Sequence, residues 1–63
     1  MYTQFQQYSE SGHDDWTAPI EIIREELPDI FGEIKFNAAG QSETFTVFDA
    51  TGFTRIWFER EDA

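Results

Sequence analysis

The one histidine of the chain, His13, stands between two serines and two aspartates in the run Ser9-Glu10-Ser11-Gly12-His13-Asp14-Asp15. An imidazole beside a hydroxyl is the minimum of a nucleophile–base pair, and imidazole with carboxylates is a metal-ligand set. The sequence completes neither. These residues share one polar, glycine-broken loop, where a productive geometry is poorly held. Three adjacent residues rarely converge on one ion, there is no second histidine, and there is no cysteine to supply a thiolate. No EF-hand loop, phosphate-cradling glycine pattern or zinc spacing is present. The expectation is an exposed loop histidine, no catalytic residue, no metal, no cofactor, and a chain that is not an enzyme.

Carboxylates are the second concentration of chemistry. Thirteen acidic residues face only Arg24, Lys35, Arg55 and Arg60, for a formal net charge of −9. A magnitude of roughly 2–8 is ordinary for a small domain. Such a surface repels nucleic acid and anionic membranes and attracts a basic protein groove. On a helix, Glu21, Glu25 and Asp29 would fall at i, i+4 and i+8, in a row turned away from Ile20, Ile23 and Leu27. Like charges about 5–6 Å apart destabilise a helix, and no lysine is interleaved to relieve them. Glu26 and Glu33 extend this surface, while Asp14 and Asp15 precede it near the helix N-terminus, where the macrodipole tolerates acid. The row reads either as a solvated face or as carboxylates standing in for backbone phosphates at a basic protein site.

Arg55 and Trp57 form a second candidate surface. They alternate with Ile56 and Phe58 and would lie on the sheet face opposite the helix. Exposed Trp and Arg are frequent anchors of protein interfaces. The alternative is that Tyr2 or Phe5 of an N-terminal arm stacks on Trp57.

The elements that would position these groups follow from periodicity. Sixty-three residues allow one domain, with residues 1–15 as a weakly alternating edge strand or flexible arm and a polar loop. Thr17 suits a helix N-cap and Pro19 a first turn. Ile20, Ile23 and Leu27 make a core stripe, and the helix either stops near Leu27 or restarts as a short turn at Pro28 that ends before Gly32. Ile30 and Phe31 are expected to be buried. From Glu33 the period falls to two, with strands over 34–36, 44–48 and 53–60 joined by turns at 38–42 and at Asp49-Ala50-Thr51-Gly52. Glu61-Asp62-Ala63 reads as a frayed tail. Short connections favour an antiparallel meander, so the expected fold is α+β: one helix on a three-stranded antiparallel sheet, with a fourth, N-terminal strand as an extension. Seven Phe, two Trp and two Tyr supply the core of so short a chain. No apolar run is long enough to span a bilayer, and the polar N-terminus lacks a signal-peptide pattern, which gives an expectation of a cytoplasmic monomer.

In length, acid excess, the Glu21/Glu25/Asp29 row and an aromatic meander ending Trp57-Phe58, the chain resembles the small acidic phage-encoded anti-CRISPR proteins directed against type I complexes, type I-C among them. The resemblance implies an inhibitor in a host cytoplasm. It would dock on the DNA-binding surface of a Cascade complex where the PAM duplex enters, with Asp14, Asp15, Glu21, Glu25, Glu26, Asp29 and Glu33 facing Lys and Arg. The rival readings are a halophile-type housekeeping domain, acidic for solubility alone, and a subunit-interaction domain that pairs through its Trp57 face.

Overall fold

The computed structural model describes residues 1–61. They fold into one four-stranded antiparallel sheet built from β1 (Tyr2–Ser9), β2 (Ile20–Arg24), β3 (Phe45–Asp49) and β4 (Gly52–Arg60), in the order β2-β1-β4-β3. No helix forms among the described residues. The expected α+β architecture is therefore corrected to an all-β one.

The correction falls on the stretch from Thr17 to Leu27. Ile20, Ile22 and Ile23 are β-branched, stiff at χ1 and better suited to a pleated surface than to a helix. The order Ile20-Glu21-Ile22-Ile23 also alternates at period two, and β1 is available as a partner. The pairing runs from Tyr2↔Arg24 to Gln6↔Ile20. Thr17 does not cap a helix. Its Oγ1 accepts from the Tyr8 amide at 3.0 Å, and its own amide donates to the Tyr8 carbonyl at 2.9 Å. Its hydroxyl thus satisfies a strand end rather than a helix end. Two of the three residues of the supposed core stripe face water, Ile20 at 59% and Ile23 at 61% exposed, while Leu27 is half-buried. Ile30 is exposed as well.

The N-terminal segment is not an edge or a loose arm. β1 lies in the middle of the sheet, with all eight of its residues paired to β4 from Tyr2↔Arg60 to Ser9↔Phe53. The β3–β4 hairpin closes at Asp49↔Gly52, where the turn was expected. Of the 34–36 strand only the single bridge Phe36↔Ser42 remains, while Gln41 bridges Glu59. Three residues separate Gln41 from Phe45, but only two separate their partners Glu59 and Ile56. The extra residue is a β-bulge, a device that bends a strand and re-aims its side chains. The tail positions Asp62 and Ala63 lie outside the described residues; Glu61 is tied down, its amide donating to the Met1 carbonyl at 3.0 Å.

Directly opposed residues share a face of the sheet. One face carries Thr3, Phe5 and Gln7 beside Arg55, Trp57 and Glu59. The other carries Tyr2, Gln4 and Gln6 beside Ile56, Phe58 and Arg60. The segment after β2 folds across one end of this second face and makes the core there. Phe58 is wholly buried. Phe31 stacks on Phe45 at 4.6 Å, and both rings meet Phe58 edge-on at 6.4 and 6.5 Å. Phe36 packs on Tyr2 at 5.7 Å, with the Arg60 guanidinium 5.3 Å over it. The radius of gyration is 12.2 Å, against about 10.6 Å for a compact domain of this length. A single thin sheet with one partly covered face accounts for the difference.

Candidate functional site

The loop after β1 is organised by Asp15. Its carboxylate accepts from the Ser11 hydroxyl at 2.6 Å and from the Ser9 hydroxyl, and Ser9 Oγ in turn accepts from the Gly12 amide at 2.8 Å. The Ser11 and Ser9 hydroxyls lower the Asp15 pKa to about 2, because hydrogen bonds to the charged form favour it. His13 takes part through its backbone alone: its amide donates to Ser11 Oγ at 3.2 Å, and its carbonyl accepts from Trp16 Nε1 at 3.0 Å. Both serine hydroxyls address Asp15 rather than the imidazole. Among the described residues no three His, Asp or Glu side chains gather as a metal site, and no helix is long and apolar enough to cross a membrane.

The seven predicted partner-binding carboxylates do not form one row. Glu21 lies in β2, while Glu25 and Glu26 follow that strand. Asp29 sits in a turn closed by the Gly32 amide on its carbonyl at 3.1 Å, and Glu33 comes after it. Extended chain advances about 3.3 Å per residue, so from Glu21 to the strand end at Arg24 the chain already runs roughly 10 Å, more than the about 5.4 Å of one helical turn. All five are exposed, as are Asp14 and Asp15. Four of the seven lie at the two ends of the sheet instead. Glu25 and Glu26 lie at the end of the sheet marked by Tyr2↔Arg24. Asp14 and Asp15 lie at the other end, with Glu10 after Ser9 and Asp49 of the hairpin turn. The Thr51 hydroxyl and amide hold the Asp49 carboxylate at 2.6 and 2.8 Å and lower its pKa. Sequence reasoning missed Glu10 and Asp49. The Asp-Ala-Thr-Gly turn marked the hairpin, but only the β1–β4 register brings its tip beside the loop after β1.

Two of the four cations are engaged with neutral groups. Arg24 Nε donates to Gln4 Oε1 at 2.5 Å, and Arg55 Nε donates to Gln7 Oε1 at 2.7 Å. Gln4 is only 5% exposed, and its amide nitrogen reaches Gln6 Oε1 at 3.3 Å. Both guanidinium Nε donors thus address amide oxygens rather than carboxylates.

Arg55 and Trp57, the second predicted surface, do come together, and the alternative placed beside it is the one realised: Phe5 stacks on Trp57 at 5.4 Å with ring planes 10° apart. The residue without a predicted role is Trp16, which carries the Arg55 guanidinium 4.0 Å over its ring. Trp16, Arg55 and Trp57 line a cavity of about 530 Å³, open to solvent, together with Gln7, Gln41, Ser42, Thr44 and Thr46. Period-two alternation places Arg55, Trp57 and Phe5 on one face. Nothing periodic brings Trp16 there, because its position depends on the loop folding back through Asp15 and Thr17. Comparison of the chain with protein-family models, with curated proteins and with solved structures gives no match.

Proposed function

We propose that this chain is a non-catalytic acidic binding protein that occupies a basic, nucleic-acid-binding surface of a protein complex and so blocks access of duplex DNA. A type I CRISPR Cascade at its PAM site is the target class that the resemblance implies. The observation that carries this reading is the one-sided electrostatics. Thirteen acids face four cations, and two of those cations are turned to glutamine amides. Carboxylates at both ends of the sheet and on the β2 edge present a negative field without the regular spacing of a helix. Attraction to a Lys/Arg surface needs that field more than it needs a register.

The experiment is competition between this protein and a PAM-containing duplex for purified type I Cascade, at low and at physiological salt. The proposal expects displacement of the duplex, weakened as salt shortens the Debye length to about 8 Å. It also expects at least a tenfold loss on the combined change Glu21→Lys, Glu25→Lys and Asp29→Lys. Wild-type protein that leaves the duplex bound at low salt, or a triple variant that competes as well as wild type, refutes it.

A further inference from the structure

The cavity beside Trp57 supports an inference independent of the acidic surface. Phe5 covers one face of the Trp57 ring, and the remaining surface of that ring lines the cavity. Across it stands Arg55, pinned twice, by Trp16 under its guanidinium at 4.0 Å and by Gln7 on its Nε at 2.7 Å. Its two terminal nitrogens make no hydrogen bond among the described residues, so they remain fixed donors at the wall. Thr44 and Thr46 add hydroxyls and Gln41 an amide from the β3 side, whereas the Ser42 hydroxyl is taken up by the Glu43 carbonyl and the Phe58 amide. The volume lies within the roughly 300–1,000 Å³ of small-molecule sites.

We propose that this cavity binds one residue of a neutral glycan. A pyranose ring has an apolar C–H face and an equatorial rim of hydroxyls. An indole offers the flat, electron-rich surface for that C–H face, and a pinned guanidinium, an amide and hydroxyls serve the rim. The other ligand classes fit less well. A drug-like apolar ligand calls for walls that are mainly apolar, and much of this wall is polar. A nucleotide brings phosphate into the field of a chain with net charge −9, which repels it. A metal ion finds no carboxylate in the lining.

The probes are maltotriose, cellotriose, mannotriose and chitotriose, each titrated to about 10 mM into the full chain and followed by amide and indole NMR shifts. The expected result is saturable binding of at least one, with Kd of about 0.1–1 mM, an affinity suited to a single small ring. The shifts should centre on the Trp16 and Trp57 indoles, Arg55 Nε and the Thr46 amide. Trp16→Ala, which releases Arg55, and Thr46→Phe, which fills the cavity from the exposed strand edge, should each weaken binding at least tenfold in protein that retains its amide spectrum. The Glu21/Glu25/Asp29 reversal should leave sugar binding unchanged, so failure of the acidic-docking reading and failure of this one are distinguishable. No shift with any of the four sugars, binding indifferent to both cavity variants, or AMP binding at the site more tightly than every sugar overturns the proposal.

Discussion

Phe58 and Phe48 are the same residue type in the same sheet with opposite surroundings, and substituting each tests where the core lies. Phe58 is 0% exposed, under the Phe31 and Phe45 rings, whereas Phe48 is 70% exposed and touches Phe53 alone among the aromatics, at 5.3 Å. Phe58→Ala removes a buried ring and leaves a cavity beneath Phe31, a change that costs about 3–5 kcal/mol. Phe48→Ala loses one exposed stacking pair, about 1 kcal/mol or less. A chain of 63 residues has a total stability of about 3–9 kcal/mol at 0.05–0.15 kcal/mol per residue. The first change therefore removes a third of the stability at the least, and all of it at the low end of the range. The second leaves a folded protein. Urea unfolding followed by tryptophan fluorescence separates them: with a slope near 1 kcal/mol per molar urea, Phe48→Ala shifts the midpoint by about 1 M or less. Phe58→Ala shifts it by about 3–5 M, which at the low end of the stability range leaves no folded protein before urea is added. Phe58→Leu, which keeps most of the volume, should fold with a loss of about 1.5 kcal/mol or less and keeps the comparison readable if the alanine variant does not fold. Equal losses for the two alanine variants, within about 0.5 kcal/mol, would refute this placement of the core.

Three further outcomes follow from the sheet. Ile20→Thr and Ile23→Thr should each change stability by no more than about 0.5 kcal/mol, as exposed positions do; a loss of 2 kcal/mol or more, as for buried Ile, would restore the helical core stripe. Gly52→Ala should cost at least about 2 kcal/mol, because Gly52 has φ +147° and a Cβ there would meet the Ser9 carbonyl oxygen at 2.6 Å. Gly32→Ala, with φ +72° and nothing within 4 Å of its Cβ, should cost only the backbone strain of about 1–2 kcal/mol, so the reverse order in thermal melts counts against the β1–β4 register. Asp15 has its pKa lowered to about 2 in the folded chain, so its contribution is complete above the unfolded value of about 3.9 and is lost as pH falls through about 2. Carboxyl NMR titration should show that low value, raised in Ser11→Ala; a midpoint unmoved by the substitution would remove Ser11 from its role.

What could be read from the residues alone, and what could not, divides on sequence separation. The β3–β4 hairpin was legible because its signals are local: alternating Phe45/Val47 and Ile56/Phe58 around an Asp-Ala-Thr-Gly turn that closes at Asp49↔Gly52. The β2 strand was not, because Ile20, Ile23 and Leu27 suit a helical stripe while Ile20 and Ile22 suit a strand, and Thr17 and Pro19 sit as readily before either. The choice is made by β1, more than ten residues away, whose pairing with Ile20–Arg24 no window of 11–18 residues contains.

β1 was undervalued for a related reason. Gln4, Gln6 and Gln7 put polar residues on both faces, as in an edge strand, yet β1 is central, with two of its glutamines partnered by arginines on neighbouring strands. Gln4 takes Arg24 of β2 and Gln7 takes Arg55 of β4, so a polar strand can sit inside the sheet with its amides satisfied. The same pairing has an electrostatic consequence. Had carboxylates taken those guanidinium Nε donors, they would be drawn into the sheet as ion pairs while the net charge of −9 stayed the same. With amides in that place the sheet is cross-linked without using any negative charge, and the carboxylates stay on the loops, the β2 edge and the sheet ends. The polar central strand that the fold requires and the unpaired surface carboxylates that the proposed function calls for thus meet in the Gln4–Arg24 and Gln7–Arg55 pairs. Gln4→Glu and Gln7→Glu would convert both contacts into ion pairs while taking the net charge from −9 to −9 − 2 = −11, so they separate the arginine's partner from the acid excess.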